Sequence, residues 1–204
     1  MTKRAGAVPE ETRSRIVSAA REEFSAQGFQ GASLRGICAA AGVTTGALYF
    51  FFRGKDDLFE TVLSEATQPF DRLIAAHYRQ ERVAARLDSE EGSSADLEAV
   101  GLVIDQYFWY RQTWNILIAH QNHPAVRAFL DRFIEDSARH YCALLEETMP
   151  QRQVDRFAVS QLVHKQADAM LTLFSHDFSR EEMVQHSQTI VRMLRGAFRA
   201  LLED

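Results

Sequence analysis

Cysteine is nearly missing: Cys38 and Cys142 are the only two in 204 residues. Two thiols so far apart make neither a disulfide framework nor a metal-ligand spacing, so both read as reduced, space-filling side chains. Four prolines and ten glycines leave few places to stop a helix. No segment alternates at period two, which argues against a sheet. No run approaches the roughly 18 apolar residues of a membrane span, and the opening MTKRAGAVPEETR lacks the apolar stretch of an export signal. The expectation is a cytoplasmic protein with no membrane partner. No strand-bounded glycine loop, nucleophile elbow or metal-ligand trio stands out, so the chain reads as no enzyme, with no cofactor and no metal.

A surplus of positive charge is missing as well, since the net charge is −5. Its distribution is uneven. Residues 1–60 carry eight Lys/Arg against seven Asp/Glu, whereas residues 61–204 carry fifteen against twenty-one. Between residues 31 and 55 stand Arg35, Arg53 and Lys55 with no acid at all. That segment can approach a polyanion; the rest would be repelled.

What is present is helical periodicity almost throughout. The spacing of apolar residues predicts an all-α chain with helices near 11–27, 34–41, 45–52, 55–86, 95–120, 124–148, 151–176 and 180–203. Gly28, Gly31 and Gly42 sit just past or between helices. Ser33 and Thr44 are placed to N-cap, and Pro124 can open a helix at its first position. Pro69 should kink or split the long fourth helix. Asp88–Ser94 (DSEEGSS) reads as a mobile acidic linker.

The first fifty-odd residues form a unit of their own. Ile16, Ala20 and Phe24 make an apolar face on the first helix; Leu34, Ile37 and Ala41 make one on the second, and Leu48 and Phe52 one on the third. Two short helices joined by a tight turn around Gly42 is a helix-turn-helix pattern. The third helix carries the run Tyr49-Phe50-Phe51-Phe52. At about 100° per residue, Leu48 and Phe52 face inward and Phe51 lies at the margin. Tyr49 and Phe50 then project outward beside Gly46, whose missing side chain permits close approach. Hydroxyls and cations around that face suit phosphate, and an apolar ring suits a thymine methyl.

At these residues the chain resembles the tetracycline-repressor (TetR) family. The resemblance covers residues 12–63 and rests on the "A…F…G" first helix, then "S-x-R-x-I-x-x-x-A-G-V", "G-x-L-Y-x-x-F" and "K-x-x-L". It implies an N-terminal three-helix DNA-binding domain (1–54) and a C-terminal helical body (55–204) that binds a ligand and dimerises. It also implies phosphate contacts from Ser33, Thr44, Tyr49 and Lys55, and base-edge or methyl contacts from Arg35, Thr45, Gly46 and Phe50. Members commonly carry polar or His/Tyr side chains where Phe50 and Phe51 stand, which favours methyl or shape readout here. The partners so implied are a double-stranded DNA operator, a second copy of the chain, and a small apolar or aromatic effector. An architectural or cell-cycle DNA binder with a protein partner is the alternative.

In the body, a stripe of Val100, Val103, Ile104, Tyr107, Phe108, Arg111, Trp114 and Ile118 recurs at spacings of three and four. Such a stripe is ordinary core or a ligand box. Arg111 pairs with a protein carboxylate such as Asp168, or with a ligand. His77 and His164 are candidate polar contacts in a largely apolar pocket. His164 and Asp168 share a face without a third ligand, and His120 and His123 precede Pro124 at a helix end, where exposure is expected. The candidate effector residues are therefore His77, Tyr107, Phe108, Arg111, Trp114 and His164. Apolar surface on more than one side of the last two helices marks them as the dimer element, with Leu162, Met170, Phe174, Ile190, Leu194 and Phe198 at the interface.

Overall fold

The computed structural model describes residues 7–84, 90–151 and 153–203. Among them are nine helices and no strand: α1 (Ala7–Gly31), α2 (Leu34–Ala41), α3 (Thr45–Phe51), α4 (Lys55–Ala84), α5 (Glu90–Trp109), α6 (Arg111–Ala119), α7 (Pro124–Thr148), α8 (Arg156–Ser175) and α9 (Arg180–Glu203). The all-α expectation holds. No single helix among the described residues is long and apolar enough to cross a membrane.

Helix ends follow local chemistry. Ser33 Oγ accepts the Gly36 N–H at 3.0 Å and Thr44 Oγ1 accepts the Ala47 N–H at 3.1 Å, so both cap as their residue type predicts. Gly42 closes α2 in the left-handed region (φ 63°), where its N–H reaches the Cys38 and Ala39 carbonyls. Gly28 (φ 65°, ψ 173°) breaks α1. A Cβ there would meet His120 Nε2 at 3.3 Å, so both backbone conformation and close approach call for glycine.

The chain divides into two compact units. The first comprises residues 1–67 and 110–123. Its core is Ile16, Ala20 and Phe24 from α1, Ile37 from α2, Leu48 and Phe52 around α3, Leu58, Phe59 and Val62 from α4, and Ile116 and Leu117 from α6. Phe59 meets Phe24 and Phe29 edge to face, with centroids 5.0 and 4.9 Å away, while Phe24 and Phe29 stack at 6.0 Å. Helix α6 packs on α1. There His120 Nε2 accepts the Phe29 N–H at 2.9 Å while its Nδ1–H donates to the Ile116 carbonyl. His120 and His123 are thus partly buried, against the expectation of exposure; His123 lies 4.4 Å from the Phe29 ring.

The second unit comprises residues 68–109 and 124–204. Within it α7 packs on α8, α5 on α9 and α8 on α9. Tyr141, Cys142, Leu145, Val159, Val163 and Phe198 form one buried cluster.

Three expectations need correction. The predicted helix 95–120 is two helices broken at Tyr110 (φ −111°, ψ 28°), where the chain passes from one unit to the other. Of the kink or split expected at Pro69, the split does not occur: α4 runs on through it. Of the expected linker, residues 88–89 lie outside the described residues, but residues 90–94 are the first turns of α5.

Candidate nucleic-acid interface and body cavity

The axes of α2 and α3 are bent by 100° at the Gly42 turn, the crossing that sets a reading helix apart from its support. Leu48 is fully buried and Phe52 is 3% exposed, which fixes the roll of α3. Phe50 is therefore left 79% exposed and Tyr49 55% exposed. Thr44, Thr45, Gly46 and Arg35 are exposed with them. Nothing but the Thr44 hydroxyl comes within 4 Å of a Cβ built on Gly46, so the helix surface there is open. Ser33 is exposed too, although its hydroxyl and N–H are committed to Gly36 and to Glu23 Oε1.

Lys55 is less free than its sequence position suggests. Its Nζ donates to the Gln30 and Ala32 carbonyls at 3.4 and 3.2 Å and lies 4.7 Å from the Phe29 ring. An ammonium has three donors, so one remains for an anion. Arg53, whose side chain is 89% exposed, is a further cation beside this surface that the eight sequence-predicted residues omit. Its backbone N–H donates to Asp57 Oδ2 at 2.8 Å. That bond, more than the adjacent guanidinium, holds the Asp57 carboxyl below the usual carboxylate range.

In the second unit a cavity of about 120 Å³ opens among α4, α5, α7, α8 and α9. A single water needs roughly 10–15 Å³ on the same measure, so this is far more than a packing defect. Val100, Ile104, Phe133, Ile190 and Leu194 make its apolar wall, and His77, Tyr78, Glu81, Asp96 and Arg195 gather at a polar end. There Tyr78 donates to Ser137 Oγ at 2.6 Å and stacks on the His140 ring. His140 Nε2–H donates to Glu81 Oε2 at 2.8 Å, and Arg195 pairs with Asp96 Oδ2. Burial raises the pKa of Asp96, and the neighbouring Glu81 charge adds to the effect. Burial drives the Tyr78 and Tyr141 phenols up as well, so both are neutral donors.

Of the six effector residues read from the sequence, the cavity gathers only His77. Tyr107 is buried core, stacked 4.3 Å from Phe174 with its hydroxyl donating to the Phe174 carbonyl. Phe108 packs edge-on against Tyr107 and does not line the cavity. The break at Tyr110 carries Arg111 and Trp114 into the first unit, where Trp114 is 3% exposed. His164 is exposed, with Nδ1 donating to the Ser160 carbonyl, and Asp168 pairs with Lys165 at 3.5 Å. Tyr78, Glu81, Asp96 and Arg195 were missed. The available signal was His77 and Glu81 at i and i+4 on one face of α4.

The six predicted dimer residues also turn inward. Met170, Phe174, Ile190, Leu194 and Phe198 line the cavity, and Leu162 packs on the Tyr141–Phe198 cluster. A helical stripe does not say which of two apolar environments it meets, and here the strongest stripe meets the core. The outward apolar side chains on α8 and α9 are Phe157, 74% exposed, and Met193, 71% exposed. Cys142 is buried, which pushes its thiol pKa up and away from reactivity.

Residues 16–62 match the model of the bacterial regulatory proteins, tetR family. Over 71 residues the chain is 44% identical to the HTH-type transcriptional regulator SrpR of Pseudomonas putida, a stretch that is 35% of this chain and 33% of that protein. The match thus spans about a third of that curated relative, and 53% of the next, TtgW of Pseudomonas putida. Among solved structures, Salmonella enterica GusR superposes with a TM-score of 0.67 at 22% identity, over 97% of this chain and 100% of that one. The multidrug binding protein EbrR, complexed with malachite green, does so with a TM-score of 0.62 at 23% identity, over 89% and 96%. These likenesses carry the fold, and residues 16–62 carry the sequence signature of the tetR family of bacterial regulatory proteins.

Proposed function

We propose that the protein is a one-component transcriptional regulator, acting as a repressor in the cytoplasm. Residues 1–54 serve as its DNA-binding domain and residues 55–204 as its effector-binding and dimerisation body. The observation that carries this reading is the outward face of α3, where Thr45, Gly46, Tyr49 and Phe50 stand exposed on a helix whose other side is locked into the core. Ser33, Thr44, Tyr49 and Lys55 contact phosphate; Arg35, Thr45, Gly46 and Phe50 meet base edges and thymine methyls. A homodimer sets two such helices on half-sites of a pseudo-palindromic operator.

The cavity in the body supports a small-molecule effector over a protein partner. Its wall is apolar and aromatic with a few polar groups at one end, the make-up of ligand pockets in general. A relative in fold, EbrR, is described as a multidrug binding protein and holds malachite green, which supports an apolar or aromatic effector here. Such an effector releases DNA only by as much as it prefers the non-binding state.

Selection of tight-binding duplexes from a random pool tests the reading. Enrichment of an inverted repeat is the expected outcome. A pool that stays random through successive rounds would overturn it.

A further inference from the structure

The polar end of the cavity contains an arrangement that its role as a ligand pocket does not explain. His77 Nε2 lies 3.6 Å from Asp96 Oδ1 and 3.8 Å from Glu81 Oε2, both too long for a hydrogen bond. One donor atom from each of the three residues falls within 4.8 Å of the others. None of the three is well hydrated: the side chains are 11%, 12% and 18% exposed for His77, Glu81 and Asp96. Three lone-pair atoms thus converge on one point without bonding one another. A tetrahedral ion with bonds of about 2.0–2.1 Å holds its donors roughly 3.3–3.4 Å apart, so the two separations from His77 need shorten by only a few tenths of an ångström, and all three donors already lie within 4.8 Å of one another.

The surrounding residues act as supports. His140 donates to Glu81 at 2.8 Å, and Arg195 holds the Asp96 oxygen that faces away from His77. Ligand carboxylates and imidazoles are oriented by such outer hydrogen bonds in metal sites generally.

We propose that His77, Glu81 and Asp96 form a binding site for a single divalent first-row transition ion, of which zinc is the fitting case. One imidazole and two carboxylates are a hard-to-borderline donor set suited to zinc or manganese. Three protein ligands leave at least one coordination position open toward the cavity, where an oxygen or nitrogen of a bound small molecule can complete it. In the sequence only the His77–Glu81 pair on α4 is visible, because the third donor, Asp96, comes from α5. The site is independent of whether the protein binds DNA.

The test uses the full-length protein, stripped with a chelator and titrated with zinc alone against a chromophoric competitor. One zinc per chain is expected. His77→Ala and Asp96→Asn should each weaken binding at least tenfold, while His164→Ala, on an exposed histidine, leaves it unchanged. X-ray absorption on the zinc-loaded wild type keeps the proposal testable if the variants unfold. It should report oxygen donors and one imidazole. Sulfur, several imidazoles, or uptake unchanged in the His77→Ala/Asp96→Asn double variant would overturn the site. So would no uptake at micromolar zinc.

Discussion

Phe50 is an apolar ring left in water at the surface of a helix. Burying such a ring stabilises by roughly 1.5–3 kcal/mol, which the isolated protein forgoes. A partner that covers it recovers the difference, and a thymine methyl is the covering group that the DNA-binding proposal supplies. Tyr49 beside it offers a hydroxyl, a contact that positions without reading sequence. Two outcomes separate their roles. Tyr49→Phe should weaken binding to preferred and scrambled duplexes equally, by roughly 0.5–1.5 kcal/mol for one lost hydrogen bond. Phe50→Ala should weaken binding to the preferred duplex alone, narrowing the gap between the two. Equal loss on both duplexes for Phe50→Ala would remove it from the readout. This face was legible in the sequence because a short helix with one buried side leaves no choice: once Leu48 and Phe52 go in, Tyr49 and Phe50 come out.

At the scale of elements, the junction of α3 and α4 rests on the Asp57 carboxylate accepting the Arg53 N–H. That contact depresses the Asp57 pKa in the folded protein. A group whose folded pKa lies below its unfolded value adds stability that is fully present above the unfolded value and lost as pH falls through the folded one. Asp57→Asn should therefore cost about 0.5–1 kcal/mol near neutral pH, the size of an exposed cap. The difference between variant and wild type should vanish below the carboxylate range; denaturant melts at a series of pH values measure it. A difference that persists in acid would mean the amide fails for packing reasons. Helix ends set by local chemistry, such as those at Ser33, Gly42, Thr44 and Pro124, were readable. The break at Tyr110 was not, because no glycine or proline marks it and the apolar stripe from Tyr107 to Ile118 continues across it. DSEEGSS misled in the opposite direction: small and acidic residues look like a linker, yet its last residues are helical.

For the whole molecule, the six predicted dimer residues and the cavity wall are largely one set. Core and interface stripes have the same period, and only coordinates tell them apart. The outward apolar surface on α9 instead runs through Met193, Gly196 and Ala200, all exposed. A Cβ built on Gly196 meets nothing within 4 Å, which leaves room for close approach of a second helix. The dimer proposal accordingly moves to this face. Met193→Glu should yield a folded monomer by light scattering, and operator affinity should fall at least tenfold because each half-site then binds alone. A dimer that survives the charge would place the interface elsewhere.

The central claim is that the exposed face of α3 reads a specific DNA sequence. Fluorescence anisotropy against DNA flanking the protein's own gene, beside a scrambled duplex and across a salt series, tests it most directly. A preference of roughly 10³-fold or more for the native fragment at physiological salt is expected. Affinity should fall steeply with salt for both duplexes, because phosphate contacts are common to both. Absence of binding to either duplex at low salt would contradict it, and would mean that Tyr49 and Phe50 are exposed for a protein surface instead.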